Sequence, residues 1–138
     1  MNQSSSVPEP IVLPLQSVPT SADPVRAVER HEAIELRSLR VEEFLQARSL
    51  APNTQKAYRQ DLQQFLSWTN KGWAEVTPRR IAQFKAYLLR QDLDSGQRVL
   101  SDTTIRRILG MLKNFYGWMV RVRYLAIDPT VEVELPKL

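Results

Sequence analysis

The fold of this chain is decided by residues 49–68, which read SLAPNTQKAYRQDLQQFLSW. Four apolar side chains recur there at the spacing of one helix face, and such a face needs a core to pack against. They are Tyr58, Leu62, Phe65 and Leu66. Pro52 suits a first helical turn, where its missing N–H costs nothing. The stretch therefore predicts a helix over about residues 52–69, whose positive N-terminal end suits a phosphate.

Three more helices are predicted around this one, over about residues 39–48, 77–91 and 101–122. The second of the three begins at a Thr-Pro pair and the third at a serine, both favourable N-terminal caps. Gly72 is expected to take the left-handed conformation after the end of the 52–69 helix, and residues 92–98 read as a loop. The only competing strand-like alternation is short, at residues 130–135. We therefore predict an all-α fold, a four-to-five-helix orthogonal bundle.

The composition excludes several classes of protein. The chain has 138 residues, enough for one domain with a core, and it contains no cysteine and only one histidine. These counts argue against disulfides, thiolate metal sites and histidine clusters, so no metal and no cofactor is expected. No apolar run approaches the ~20 residues of a membrane span, and no basic start precedes an apolar leader. A cytoplasmic protein without a membrane partner is predicted.

Charge and proline content divide the chain into three predicted regions. Residues 1–37 hold three arginines against five acidic residues, and their prolines and serines predict a flexible, disordered N-terminal arm. Because the net charge of the chain is +4, the remainder carries +6. A basic helical domain over residues 38–128 fits a polyanionic partner, although solubility alone also explains such a charge. Residues 129–138 read as a linker.

Three motifs in order resemble one family. Residues 50–68 fit Leu-x-Pro-x-Thr-x-x-x-Tyr-x-x-Asp-Leu-x-x-Phe-x-x-Trp, residues 101–118 read SDTTIRRILGMLKNFYGW, and residues 127–137 begin Ile-Asp-Pro-Thr and end Leu-Pro-Lys. Together they resemble the N-terminal, core-binding (SAM-like) domain of tyrosine recombinases, the Xer-type and phage integrases. In that family the last segment leads to the catalytic domain. The resemblance covers about residues 39–138.

The resemblance implies that the chain binds double-stranded DNA as one half of a C-shaped clamp. The starts of the helices at 52–69 and 101–122 would approach the major groove, with lysine and arginine contacting phosphates and Asn, Gln and Thr reading base edges. The implied DNA-binding residues are Asn53, Thr54, Lys56, Gln60, Thr103, Arg106 and Arg107, with Lys113 as a flanking residue. Ala51 departs from the family pattern because relatives often have a capping serine there.

The catalytic residues of the family are an arginine, a His-x-x-Arg cluster and a nucleophilic tyrosine in a downstream domain. This sequence has no such arrangement, since Ile34 and not an arginine stands three residues after His31. No catalytic residue is therefore assigned, and the chain is predicted to be a binding module rather than an enzyme. The family implies two further partners, the C-terminal catalytic domain of the parent protein and neighbouring protomers in a DNA-bound tetramer. Association with the nucleoid in the cytoplasm follows.

The sequence leaves two alternatives to this interpretation. One is a SAM-like helical protein-interaction module without a DNA role, which is favoured if Lys56, Arg106 and Arg107 do not converge on one face. The other, a complete small recombinase, is disfavoured by the missing catalytic residues. On a helical wheel Lys56 and Arg107 lie away from the apolar stripes, so replacing both by glutamate is expected to change stability by no more than about 0.5 kcal/mol.

Two glycines within the 101–122 helix lower its stability, so another interaction is expected to compensate for them. Gly110 and Gly117 lie seven residues apart and therefore on one face, and each costs up to about 1 kcal/mol relative to alanine. Close approach of another helix is the expected reason, and close approach of a DNA backbone is the alternative.

Overall fold

A computed structural model describes residues 24–138, with the side chains of residues 27–35 excepted. Its elements are α1 (Pro24–Gln46), α2 (Pro52–Trp68), a 3₁₀ turn (Trp73–Glu75), α3 (Pro78–Leu88) and α4 (Asp102–Arg121). Over residues 24–138 the only strand-type pairing is an isolated bridge between Gln91 and Arg98. The predicted all-α class is therefore confirmed, and residues 130–135 do not form a strand.

The chain divides into two compact units, Met1–Glu35 and Leu36–Leu138. Residues 1–23 of the predicted arm lie outside the described residues, so the flexibility of that segment stays a prediction. The described part of the first unit is helical from Pro24, well before the start predicted near residue 39. Proline is favourable at a helix start, and residues 25–38 contain neither proline nor glycine to stop the helix.

The helix starts of the second unit follow local capping chemistry. The Thr77 hydroxyl accepts a hydrogen bond from the Arg80 N–H at 3.1 Å, and the Ser101 hydroxyl accepts one from the Thr104 N–H at 3.2 Å. Ala51 precedes α2 without a side-chain cap, as its sequence requires. Both predicted caps are thus confirmed, because a hydroxyl satisfies an N–H that has no partner within the helix.

The predicted left-handed conformation of Gly72 is wrong. Its φ is −68°, because Thr69, in an extended conformation, already ends α2 as predicted, and Gly72 instead precedes the 3₁₀ turn. The Glu75 carboxylate accepts the Gly72 N–H at 2.9 Å. The turn carries Trp73 into the core, where that side chain is 5% exposed.

The core lies between α4 and the other elements of the second unit. Phe115 is fully buried, with its ring centroid 5.2 Å from that of Phe44 and 4.5 Å from that of Trp73. The hydroxyl of buried Tyr116 donates to the Trp73 carbonyl at 2.9 Å, and burial raises the pKa of this phenol. The buried residues of α4 are Ile105, Ile108, Leu109, Met111, Leu112, Phe115, Tyr116 and Met119.

Arg37 joins α1 to the end of α2. Its guanidinium donates to the carbonyls of Leu66 at 3.1 Å, Thr69 at 2.6 Å and Lys71 at 3.1 Å. The last carbonyls of a helix have no partner within it, so an arginine from a neighbouring helix serves as their cap. The Trp73 indole N–H in turn donates to the Arg37 carbonyl at 2.9 Å.

A second connection between α1 and α2 is an ion pair. Arg59 Nε and Nη2 each lie 2.8 Å from a carboxylate oxygen of Glu42. This hydrogen bonding lowers the pKa of Glu42, so the pair stabilises the fold above the ordinary carboxyl pKa and is lost as pH falls through the lowered value. The contribution is small because both side chains are more than 40% exposed.

The end of α4 is shaped by Arg123, whose φ is +69°. Its N–H donates to the Val120 carbonyl at 3.1 Å, and the Tyr124 N–H donates to the Met119 carbonyl at 2.9 Å. This pair of bonds is the Schellman arrangement, with arginine where glycine is usual. The reversal brings the Tyr124 hydroxyl to a carboxylate oxygen of Glu43 at 3.0 Å, which orients the chain that leaves α4.

Candidate nucleic-acid interface

One face of α2 carries exposed side chains that are all polar except Ala57. They recur three or four residues apart, so they lie in a single row along the helix. This row, called here the α2 polar stripe, consists of Asn53, Lys56, Gln60, Gln63, Gln64 and Ser67. Helical geometry places it opposite the buried residues Leu62, Phe65 and Leu66. Within the described residues Lys56 makes neither a hydrogen bond nor an ion pair.

The C-terminal half of the α2 polar stripe borders a cleft shared with α4. The cleft is open to solvent, has a volume of about 320 Å³, and is lined by Gln60, Asp61, Gln63, Gln64, Ser67 and Arg107. Every lining residue carries a hydrogen-bonding side chain, and the amides offer both donors and acceptors. The cleft therefore suits a polar ligand with hydrogen-bonding edges rather than an apolar one.

The cleft contains a buried carboxylate with a single arginine partner. The Asp61 side chain is only 6% exposed, whereas that of Arg107 is 57% exposed. Arg107 Nε lies 3.1 Å and 3.2 Å from the two carboxylate oxygens. This pair gives a reason to expect a larger loss of stability for Arg107→Glu than helical spacing suggests, because the change would place a second carboxylate beside a buried one. That Lys56→Glu leaves stability nearly unchanged stays a prediction.

The remaining predicted DNA-binding residues of α2 and of the start of α4 differ in their exposure. Asn53, Lys56 and Gln60 are exposed members of the α2 polar stripe. Thr54 is half-buried and lies outside that row. Thr103 is exposed on α4, one turn before Arg107 and on the same side of the helix.

Arg106 and Lys113 contact the segment that follows α4 rather than the cleft. Arg106 Nη1 donates to the Pro136 carbonyl at 2.8 Å, and Lys113 Nζ donates to the carbonyls of Thr130 at 2.7 Å and Val133 at 2.9 Å. The predicted linker thus packs on the domain, with Thr130 buried. Arg107 therefore lines the cleft, Lys56 lies on the α2 polar stripe without lining the cleft, and Arg106 contacts the segment after α4. Convergence of all three cations on one face stays a prediction.

The two glycines of α4 are not explained by helix packing. Among the described residues, a Cβ added at Gly110 would meet no atom within 4 Å, and one added at Gly117 would meet only Nη1 of Arg121, at 3.4 Å. The expected close approach of another helix is therefore wrong for both positions. The alternative, close approach of a DNA backbone, stays a prediction.

We expect Gly110→Ala to raise the free energy of unfolding by about 0.5–1 kcal/mol, because alanine is the better helix former and no neighbour obstructs its methyl group. Urea denaturation of the two proteins measures the change. Duplex-DNA binding by the same variant tests the alternative, since a more stable protein with weaker binding indicates that a ligand backbone approaches this glycine. A fall in stability would contradict the open surroundings of Gly110.

Sequence analysis missed Asp61, Gln63, Gln64 and Ser67 as members of the cleft. A signal for the last three was present, because they continue the row of Lys56 and Gln60 at helical spacing. For Asp61 no local signal existed, since its partner lies 46 residues away in the chain.

The described part of the chain shows neither a metal-binding cluster nor a membrane-spanning helix. Over residues 24–138, no three His, Cys, Asp or Glu side chains are grouped so as to hold a metal ion. None of the helices in that range combines the length and apolar character that crossing a bilayer requires.

The helices and their connections define a small all-α domain of the SAM-like type. The family description "Phage integrase, N-terminal SAM-like domain" matches residues 41–122, more than half of the chain. The protein therefore belongs to the phage integrase N-terminal SAM-like domain family, which confirms the resemblance found in the sequence.

Similar curated proteins are tyrosine recombinases. Tyrosine recombinase XerD of Pseudomonas aeruginosa is 36% identical over 103 residues, covering 71% of this chain and 33% of that protein. Tyrosine recombinase XerD of Pseudomonas putida is 30% identical over 102 residues, with the same coverage of each chain. Tyrosine recombinase XerC of Xylella fastidiosa is 29% identical over 91 residues, 65% of this chain and 30% of that protein. No solved structure gives a significant match.

This chain thus spans about one third of the length of the curated relatives it matches. The matched part is the N-terminal SAM-like domain, which is not the catalytic domain of a tyrosine recombinase.

Proposed function

We propose that this protein binds duplex DNA through the α2 polar stripe and Arg107, as the core-binding domain of a tyrosine recombinase. The observation that carries the proposal is the polar cleft between α2 and α4, in which amides of one helix face an arginine of the other. A row of Asn, Gln and Lys on an exposed helix face can enter a major groove and hydrogen-bond base edges and phosphates. Family membership supports the same partner.

In this proposal the charged and neutral members of the surface have different tasks. Lys56 supplies salt-dependent affinity, since it is exposed and has no partner among the described residues. The amides of Asn53, Gln60, Gln63 and Gln64 can hydrogen-bond base edges and so contribute to base preference. Thr103 extends the surface at the start of α4. The remaining sequence-predicted residues have smaller tasks, because Thr54 is half-buried while Arg106 and Lys113 hold the segment after α4.

The protein-interaction alternative is less well supported by this surface. Protein interfaces are distinguished by apolar and aromatic residues at their buried centre, whereas the α2–α4 cleft is lined by amides, a hydroxyl and an ion pair.

The wider role of the protein is part of the same proposal. The chain would be a DNA-binding module without catalytic residues of its own, with the cytoplasmic nucleoid as its site of action. It would act beside the C-terminal catalytic domain of the parent recombinase and against neighbouring protomers in a DNA-bound tetramer. The family match and the named relatives support this role.

The test is fluorescence anisotropy of a labelled duplex with the 138-residue chain over a range of salt concentrations. We expect weak binding, with Kd of about 10⁻⁴–10⁻⁶ M at physiological salt for a module of this kind. Lys56→Glu should weaken binding to all sequences alike, and Lys56→Gln should lower the salt slope by about one. Thermal melts should show that both variants fold as the parent does.

The matched control is Arg79→Glu, an equal change of charge at an exposed residue of α3, which contributes nothing to the cleft. It should bind DNA more tightly than Lys56→Glu does. Equal losses for the two variants would show that net charge, not this surface, governs binding. Absence of binding even at low salt would overturn the proposed function.

A further inference from the structure

We propose that Asp61 is a positioning residue that orients Arg107 to read a guanine in the major groove. The inference rests on the proposed function and adds to it a base, a reading residue and the group that holds that residue. The two side chains are unequally buried, since the Asp61 carboxylate is buried whereas the Arg107 guanidinium is mostly exposed.

The geometry leaves the terminal nitrogens of Arg107 available. Nε alone contacts both oxygens of Asp61, and within residues 24–138 neither Nη1 nor Nη2 makes a hydrogen bond. The other arginine–carboxylate pair between helices behaves differently, because Arg59 gives both Nε and Nη2 to Glu42. An arginine whose task was only to neutralise a carboxylate would use two nitrogens in this way. In Arg107 the two terminal nitrogens, Nη1 and Nη2, are instead available to bind a ligand as a planar fork.

The chemistry of that fork favours guanine. Two terminal N–H groups of an arginine match the N7 and O6 acceptors of guanine in the major groove, which is the commonest specific contact between proteins and DNA. A long arginine side chain samples many rotamers, and ordering it reduces the affinity gained. Asp61 lowers this cost because it stands on a packed helix, is itself immobilised by burial, and fixes Nε beside the cleft.

The surroundings support reading in a groove rather than capture of an isolated anion. Gln60, Gln63 and Gln64 line the same cleft, so bases next to the guanine would meet amides able to donate and accept. A phosphate would also accept from the Arg107 fork, and the experiment separates the two partners.

A binding selection on random duplexes with the 138-residue chain first gives its preferred sequence. Each guanine is then replaced in turn by 7-deazaguanine, which keeps base pairing but lacks the N7 acceptor. At one position we expect a severalfold loss of affinity, at most roughly 150-fold, because the analogue removes one of the two acceptors of a bidentate contact. Arg107→Lys keeps the charge but lacks the fork, so it should abolish that sensitivity while retaining the salt slope.

The positioning role is tested with Asp61→Asn and, in case the neutral side chain impairs folding, Asp61→Glu, which keeps the charge and displaces it by one methylene. Both should reduce discrimination against 7-deazaguanine severalfold while the salt slope stays near that of the parent. Glu42→Gln, at the other ion pair, is the matched control and should leave discrimination unchanged. Thermal melts establish that each variant used is folded.

Two results would overturn the inference while the proposed function stands. One is DNA binding that is insensitive to 7-deazaguanine at every position and falls uniformly in Arg107→Lys, which identifies a phosphate contact. The other is full discrimination in a folded Asp61 variant, which shows that Arg107 needs no positioning. No binding to any duplex would instead refute the proposed function itself.

Discussion

Phe115→Ala should lower the free energy of unfolding by about 3–5 kcal/mol, the range for removing a fully buried phenylalanine. The ring is 0% exposed and packs edge-on against Phe44 and Trp73, so it joins α4 to α1 and to the 3₁₀ turn. Removing it leaves a cavity lined by aromatic side chains that cannot collapse without moving two elements. Urea denaturation measures the loss, and an unchanged m-value would show that the unfolded state is unaffected.

The control for this variant is Val122→Ala just after α4, where the valine is 44% exposed. It should change stability by no more than about 0.5 kcal/mol. Phe115→Leu keeps most of the apolar volume, so its loss of stability should lie between those of Phe115→Ala and Val122→Ala. A cost below about 1 kcal/mol for Phe115→Ala would mean that the aromatic cluster is not the centre of this core.

The parts of the fold predicted from sequence are those set by nearby residues. Thr77 and Ser101 start helices because a hydroxyl meets an N–H three residues on, and the sequence displays both partners. The inward stripe of α4 follows from helical spacing alone, and Ile105, Leu109 and Leu112 are buried as expected.

The prediction of the fold was wrong mainly where residues distant in the chain determine the local conformation. Gly72 was assigned to the end of α2, but that end is governed by the guanidinium of Arg37, which lies more than 25 residues earlier in the chain. Trp73 reaches the core through a single 3₁₀ turn, too short to show any periodicity. The early start of α1 was missed because the apolar residues among positions 25–38 are spread around a helical wheel, so no stripe marks a helix there.

For the candidate site, the residue types were informative and their partners were not. A helical wheel predicts correctly that Lys56 and Gln60 are exposed on the outer face of α2. It cannot show that Arg106 and Lys113 donate to main-chain carbonyls 17 or more residues away, or that Arg107 has a buried partner on α2. Counting cations in a sequence therefore does not show which guanidinium and ammonium groups already donate to other parts of the chain.

Arg37→Ala should lower the free energy of unfolding by about 2–3 kcal/mol. The change removes charged hydrogen bonds to three carbonyls at and beyond the end of α2 and leaves those acceptors without their partner. Arg37→Lys should recover only part of the loss, because one ammonium group cannot reach all three acceptors as a planar fork does.

The matched control for Arg37 is Arg79→Ala, which removes an exposed arginine and should cost no more than about 0.5 kcal/mol. Urea denaturation of the parent and the three variants ranks their free energies of unfolding. Hydrogen exchange shows which part of the fold is destabilised. In Arg37→Ala the amides of the last turn of α2 should exchange faster, because the guanidinium no longer holds the carbonyls there. The bond from the Trp73 indole to the main-chain carbonyl of residue 37 is kept in this variant. Stability equal to that of the control, with exchange unchanged at the end of α2, would show that water caps this helix as well as the arginine does.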